Sequence, residues 1–363
     1  MSILFSPAKL GPIDLRNHLV MAPMTRSRAT VDNLPNALMA EYYAQRATAG
    51  LIVTEGTSPS PNGLGYPRIP GIFSLAQVIA WQPVTEAVHR KGAKIFMQLM
   101  HCGRIAHSLN LPAGAHVLAP SAIQAAGEIY TDAEGLKPHP VPETMTPGDI
   151  DATIAEFAKA ASNAIAAGFD GIELHAANGY LLEQFIRPNT NVRTDRYGGS
   201  IENRARFVLE VLEATIREIG RERVGIRLSP FGVFNGMPLY DAMEEEYGWL
   251  AAKLDSAGPA YVHLVDHSSM GAPVVPASMK ETFRRAFRGV LILSGGYDAE
   301  RAERDLAEGK CDLIAVGRPF LANPDLVERW KTGAPLNEPD MSSFYAPGPE
   351  GYTDYPFLGA GKG

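Results

Sequence analysis

The sequence predicts one (β/α)8 barrel, an α/β fold of the TIM type, on three observations. Eight short, nearly continuous apolar runs recur along the chain, at 18–24, 51–55, 94–100, 171–176, 224–230, 261–266, 290–295 and 313–317. Their character suits parallel strands buried on both faces better than half-exposed antiparallel ones. Helical patterns alternate with them, and neither GxGxxG nor a P-loop, the usual marks of an open doubly wound nucleotide-binding sheet, is present.

Between the strands, Ile154, Phe157, Ala158, Ala161 and Ile165 repeat at +3 and +4, and Val208, Val211, Leu212 and Ile219 do the same, so each set marks one apolar helix face. Further helices are expected at 35–49, 75–91, 241–257, 279–287, 299–308 and 324–331, several followed by a glycine such as Gly50, Gly92, Gly168 or Gly258. The stretch 102–147, after the third strand, is too long for a βα loop. Alternation around 128–130 predicts a hairpin in it, read as a lid insertion. The tail 336–363 lacks helical periodicity, but its aromatic GYTDYPF segment is expected to pack on the barrel, leaving 1–363 as one domain.

Composition narrows the partners. Lys+Arg 33 against Asp+Glu 40 gives a net charge of −7 with no basic run, which argues against nucleic acid. The 2 cysteines, Cys102 and Cys311, can form neither a disulfide framework nor an iron–sulfur cluster held by four thiolates, and suit a reducing, cytoplasmic setting. No signal peptide opens the chain and no apolar run approaches ~20 residues, so a membrane role is not expected. His101 and His107 lack a third ligand, and no metal site is expected.

Candidate chemistry gathers at the strand ends, where barrel enzymes work. Gly295 and Gly296 after the seventh run, with Gly317 and Arg318 after the eighth, suit a phosphate: glycines let backbone N–H groups approach an anion and arginine adds two-pronged donors. The plain alternative is a turn beside a surface arginine. At the fourth run, His175, Asn178 and Tyr180 follow one another. If a helical turn begins there, His175 and Asn178 are neighbours able to donate to one oxygen, and Tyr180 adds a phenolic proton. A satisfied core histidine and a packing tyrosine are the alternative. Thr25 closes the first strand, Gln98 lies near the end of the third, and Arg227 lies inside the fifth, where it needs an anion: a ligand, or a salt bridge such as one to Glu173.

These segments resemble the old yellow enzymes, flavoprotein ene-reductases on a (β/α)8 barrel. The resemblance runs from FSP at 5–7 and NHLVMAPMTR at 17–26 through QLMHCGR at 98–104, HAANGYLLEQF at 175–185 and RTDRYGGS at 193–200. It continues with Glu202, Asn203 and Arg204, then Gly317, Arg318 and Pro319, and ends in GYTDYP at 351–356. It implies tightly bound FMN, with NADPH or NADH as transient reductant. It also implies ping-pong reduction of the C=C bond of an α,β-unsaturated carbonyl or another electron-poor alkene, by a monomer or homodimer.

The resemblance also implies a role for each of these residues. Thr25 lies beside flavin O4 and N5; Pro23 and Gly56 give backbone contacts to the ring; Gln98 donates to its pyrimidine edge; Arg227 sits near N1 and O2. Gly295, Gly296, Gly317 and Arg318 cradle the phosphate. His175 and Asn178 hold the substrate oxygen and Tyr180 donates the proton. Met100 stands where many relatives carry Trp, which bears on substrate range. Two alternatives accompany this reading: reduction of nitrate esters or nitro compounds at the same flavin, and a flavin-free phosphate-binding barrel lyase or isomerase.

Overall fold

The computed structural model describes residues 2–359. Eight strands form a closed barrel: β1 (Leu19–Met21), β2 (Leu51–Val53), β3 (Lys94–Leu99), β4 (Gly171–Ala176), β5 (Val224–Leu228), β6 (Tyr261–Val265), β7 (Val290–Ser294) and β8 (Leu313–Val316). Neighbours pair in parallel in chain order, and β8 closes on β1 through Ile314 opposite Leu19 and Val316 opposite Met21. The strands are shorter than the apolar runs. The run 18–24 leaves the sheet before Pro23, which has no N–H to give the ladder, and the run 224–230 leaves it before Pro230.

The main helices around the barrel are α1 (Ala37–Gln45), α2 (Leu75–His89), α3 (Pro147–Ala166), α4 (Leu181–Ile186), α5 (Ile201–Arg204), α6 (Arg206–Ile219), α7 (Met243–Ala257), α8 (Ala277–Ala286), α9 (Ala299–Ala307), α10 (Arg318–Ala322) and α11 (Leu326–Thr332). Two begin with reciprocal caps, Ser74 with Gln77 on α2 and Thr146 with Asp149 on α3, each satisfying backbone donors a helix start leaves free. The core is layered. Leu19, Met21, Ile52 and Leu174 pack outward against helix residues such as Phe157, Val208 and Leu250. Val20, Leu51, Phe96, Tyr261, Ile292 and Leu313 form a second buried cluster.

Three features go beyond the eight units. An N-terminal hairpin, Ala8–Leu10 with Ile13–Leu15, contributes Leu10 and Leu15 to that second cluster, and periodicity over three-residue strands gives it no sequence signal. The stretch 102–147 holds the antiparallel hairpin Glu128–Thr131 with Gly135–Pro138, and a short parallel pair, Leu118–Ala119 with Glu143–Thr144.

The tail is held by buried arginines. Arg28 donates to the carbonyls of Ser343, Phe344, Gly348 and Glu350, Arg26 to Phe344 and Gly351, and Arg46 to Tyr352. Residues 360–363 of the expected tail lie outside the described residues. Among the described residues, no helix is long and apolar enough to cross a membrane.

Candidate active site

Two adjoining cavities of about 460 and 680 Å³ open beside the C-terminal ends of the strands, sharing Pro23, Thr25, Asn178, Arg227, Phe234 and Tyr345 in their walls. The smaller reaches Gly295, Gly296, Gly317 and Arg318. The larger reaches Gln98, Met100, His175 and Tyr180. The fold thus brings together every residue singled out from the sequence except Gly56, which lines neither cavity. A Cβ on Gly56 would lie 2.5 Å from Met100 Sδ, so this residue is packed behind Met100.

At one end, Gly295 (φ 130°) and Gly296 (φ 62°) follow β7 in backbone conformations that side chains rarely adopt. A Cβ on Gly295 would sit 2.2 Å from the Asp266 carbonyl oxygen. Among the described residues, the N–H groups of Gly295, Gly296 and Gly317 donate to no backbone carbonyl, and Arg318 at the start of α10 makes no ion pair. Free N–H groups and a free guanidinium around one cavity form a cradle for an anion.

At the other end, the segment after β4 is a turn and not the helical start the sequence suggested. Asn178 (φ 60°) and Gly179 (φ 75°) are both left-handed, and α4 begins only at Leu181. The turn is fixed from below: Asn178 N–H donates to Ser229 Oγ (2.8 Å), Gly179 N–H to Glu183 Oε2 (2.7 Å), and Ser229 Oγ in turn to Glu183 (3.0 Å). Buried Arg187 pairs with the same carboxylate at 2.8 Å. Glycine at 179 is required twice over, since its φ is positive and a Cβ would lie 2.7 Å from Asn235 Cβ.

A residue that sequence reasoning missed sets the Asn178 amide. His267, just past β6, donates from Nε2 to Asn178 Oδ1 at 2.8 Å, which leaves the amide N–H groups for the cavity. Burial, followed by the Arg227 charge, lowers the His267 pKa to about 4, so the ring is neutral at pH 7. A lone histidine in a DHSS segment carried no signal; only closure of the barrel places it across from β4.

His175 is buried, and its Nδ1 has no hydrogen-bond partner among the described residues. Burial first, then the nearby Arg227 charge, holds its pKa well below the usual histidine range. The ring meets Tyr180 edge-on, with centroids 4.9 Å apart. Burial, then Tyr66 beside it, raises the Tyr180 phenol well above its usual range, so it keeps its proton.

The middle of the site carries a buried arginine with no hydrogen-bonded anion. Register sets Arg227 opposite His175 on one side and His263 on the other. Of the two partners the sequence left open for Arg227, a direct salt bridge to Glu173 does not form. That carboxylate instead accepts from Gln98 Nε2 (2.8 Å), Tyr261 Oη (3.0 Å) and His263 Nδ1 (2.9 Å). Those partners and the charge of Arg227 hold Glu173 ionised against the effect of burial. Arg227 itself is 6% exposed, its Nε lacks an acceptor, and it makes no ion pair among the described residues. Glu173 offsets this charge without a direct hydrogen bond, so the guanidinium keeps its donors for a ligand with an acceptor or anionic edge. Gln98 gives one amide N–H to Glu173 and keeps Oε1 and the other N–H for a ligand with both donor and acceptor edges.

An anion cradle at one end, a lone arginine and a donor–acceptor amide in the middle, and neutral donors over an open cavity at the other end define a barrel oxidoreductase site. These residues fit FMN: phosphate in the cradle, the pyrimidine edge at Gln98 and Arg227. Comparison with known proteins agrees. Residues 3–337 match the NADH:flavin oxidoreductase / NADH oxidase family. The chain is 43% identical over 364 residues to 12-oxophytodienoate reductase 1 of Oryza sativa subsp. japonica, covering 98% of this chain and 93% of that one. Chanoclavine-I aldehyde reductase fgaOx3 of Penicillium roqueforti is also 43% identical, with 98% and 97% covered. Morphinone reductase superposes with a TM-score of 0.95 at 46% identity, covering 100% of this chain and 98% of that one. The old yellow enzyme homologue of Zymomonas mobilis gives 0.93 at 42%, covering 97% and 99%.

The chain belongs to the old yellow enzyme family and is an FMN-dependent oxidoreductase of the ene-reductase type. The flavin-free lyase or isomerase is thereby set aside.

Proposed function

We propose that His175 and Asn178 bind the activating oxygen of an electron-poor alkene and that Tyr180 protonates its α-carbon. The observation that carries this reading is the His267–Asn178 hydrogen bond, which turns the amide donors toward the cavity that His175 and Tyr180 also line. When bound, FMN would supply two-electron hydride chemistry, with NADPH or NADH as the reductant and the β-carbon of the alkene as the acceptor.

Negative charge then grows on the substrate oxygen. Donors aimed at such a charge in a water-poor site are worth roughly 10²–10³-fold in rate each. Tyr180 gives its proton to the α-carbon and regains one from solvent, so the alkene gains one hydride and one proton in all. When FMN is bound, Arg227 would offset negative charge at its pyrimidine edge, Pro23 and Thr25 in the loop after β1 would face the ring, and Gly295, Gly296, Gly317 and Arg318 would hold the phosphate. The 102–147 insertion serves as the lid: Glu128, Ile129 and Tyr130 of its hairpin line the larger cavity. The buried, unpaired Cys102 and Cys311 support a reducing, cytoplasmic setting.

Anaerobic stopped-flow with a panel of enones, maleimides, nitroalkenes and nitrate esters tests the reading. Fast reoxidation by enones, with a saturated product, is expected. An enzyme reduced by NAD(P)H that no activated alkene reoxidises would overturn it.

A further inference from the structure

Behind the phosphate cradle, on the outer side of the barrel, a groove of about 580 Å³ runs between α8 and α9. Arg301, in the first turn of α9, reaches from this groove to the loop after β7. Its Nη1 donates to the Gly295 carbonyl at 2.9 Å and to the Gly296 carbonyl at 3.4 Å. Three further contacts fix the residue, one through its backbone and two through its side chain. Its backbone N–H is capped by Asp298 Oδ1 at 2.8 Å, its guanidinium lies 4.1 Å from the Tyr297 ring centroid, and its Nε lies 3.8 Å from Asp305 Oδ2. Asp305 in turn accepts from Tyr297 Oη at 2.9 Å, so ring, acid and guanidinium hold one another.

In a trans peptide the C=O and the following N–H point in opposite directions. A guanidinium that takes the carbonyls of Gly295 and Gly296 therefore leaves the N–H groups of Gly296 and Tyr297 on the far side, toward the cavity that both residues line. Neither N–H donates to a backbone carbonyl among the described residues. Two successive glycines have more conformations to lose than any other pair, so without an external hold these peptide planes would not stay turned inward. A charged donor on the carbonyl side also polarises each peptide, which strengthens its N–H toward an anion.

We infer that Arg301 is a positioning residue for the phosphate of FMN, acting through the peptides of Gly295 and Gly296 and not by touching the phosphate. The inference rests on the assignment of FMN to this site. It separates Arg301 from Arg318, which lines the cavity itself.

The test is binding of two flavins that differ only in the phosphate. Flavin is removed from the full chain, and FMN and riboflavin are titrated back by fluorescence quenching. For Arg301→Met, the FMN Kd should rise about tenfold, the usual size of one lost charge-assisted hydrogen bond, while the riboflavin Kd stays within about twofold. Arg301→Lys, which keeps the charge and one donor, should fall between and serves as the working variant if the methionine protein does not fold. Equal losses for both flavins would make Arg301 a support of the fold alone, and an unchanged FMN Kd would remove it altogether. A wild-type chain that binds riboflavin as tightly as FMN would instead overturn the phosphate cradle on which the inference stands.

Discussion

The Tyr180 hydroxyl donates to the Tyr66 hydroxyl across 3.1 Å, and the two rings meet edge-on. Burial raises both phenols above their usual range, so the pair holds its protons at neutral pH. Tyr180→Phe should leave reduction of the enzyme by NADPH or NADH nearly unchanged and slow the reaction with simple enones by roughly 10²–10⁴-fold, the range for loss of one general acid. Stopped-flow traces of each half-reaction check this. Collapse of the reductive half with normal enone turnover would remove Tyr180 from the mechanism. Tyr66→Phe should cost far less, because it removes only the acceptor that orients the Tyr180 proton.

His267 sets the direction of the Asn178 amide. Phenols should bind through His175 and Asn178 as an enolate oxygen does, giving a long-wavelength charge-transfer band with the flavin. His267→Phe frees the amide to turn and should raise the phenol Kd about tenfold, the worth of one hydrogen bond to a charged oxygen, while His267→Gln, which keeps a donor, recovers part of the loss. An Asn178→Ala variant that binds phenol as tightly as wild type would sink the shared oxygen site.

Arg227 has no hydrogen-bonded anion, but its charge offsets that of buried, ionised Glu173. Arg227→Met should therefore weaken flavin binding and also lower the melting temperature of the flavin-free chain, by less than the about 3–5 kcal/mol that breaking a directly paired buried ion pair costs. Calorimetry with and without FMN reads both changes. A higher melting temperature in the flavin-free variant would show that Glu173 does not compensate the arginine.

Glu55, two residues past β2, is buried beside Tyr43, and burial raises its pKa to about 7. A raised carboxyl binds its proton more tightly in the folded chain than in the unfolded one. Its contribution is thus complete below the unfolded value near 4.5 and is lost as pH rises toward 7. Glu55→Gln should gain on wild type by roughly 2–3 kcal/mol between pH 5 and pH 8, read from urea midpoints. An unchanged difference across that range would mean that Glu55 is charged throughout.

Much of the site was legible from residue type alone. Gly-Gly after one strand and Gly-Arg after the next announce an anion, because few other reasons place such residues at consecutive strand ends. His175, Asn178 and Tyr180 were legible as a polar group closing a buried strand, but their geometry was not. Neither the left-handed turn at Asn178 nor the packing of Gly56 behind Met100 follows from local sequence. Both depend on residues distant along the chain, Ser229 beneath the turn, where it also binds Glu183, and Met100 over the glycine.

The sequence by itself determined the barrel, the order of its strands and the chemical types gathered after them, because apolar run length, helical period and chain breakers are local properties that every fold must respect. Only the tertiary structure decided which partner each polar group takes. Glu173 could have paired with Arg227 and instead satisfies Gln98, Tyr261 and His263, leaving the arginine for a ligand. Likewise His267 and Arg301 gained their roles from the angles at which β6 and α9 meet the site. A hydrogen bond depends on distance and direction to within tenths of an ångström. Strand spacing and register around the closed barrel fix those distances, and no linear pattern of residues encodes them.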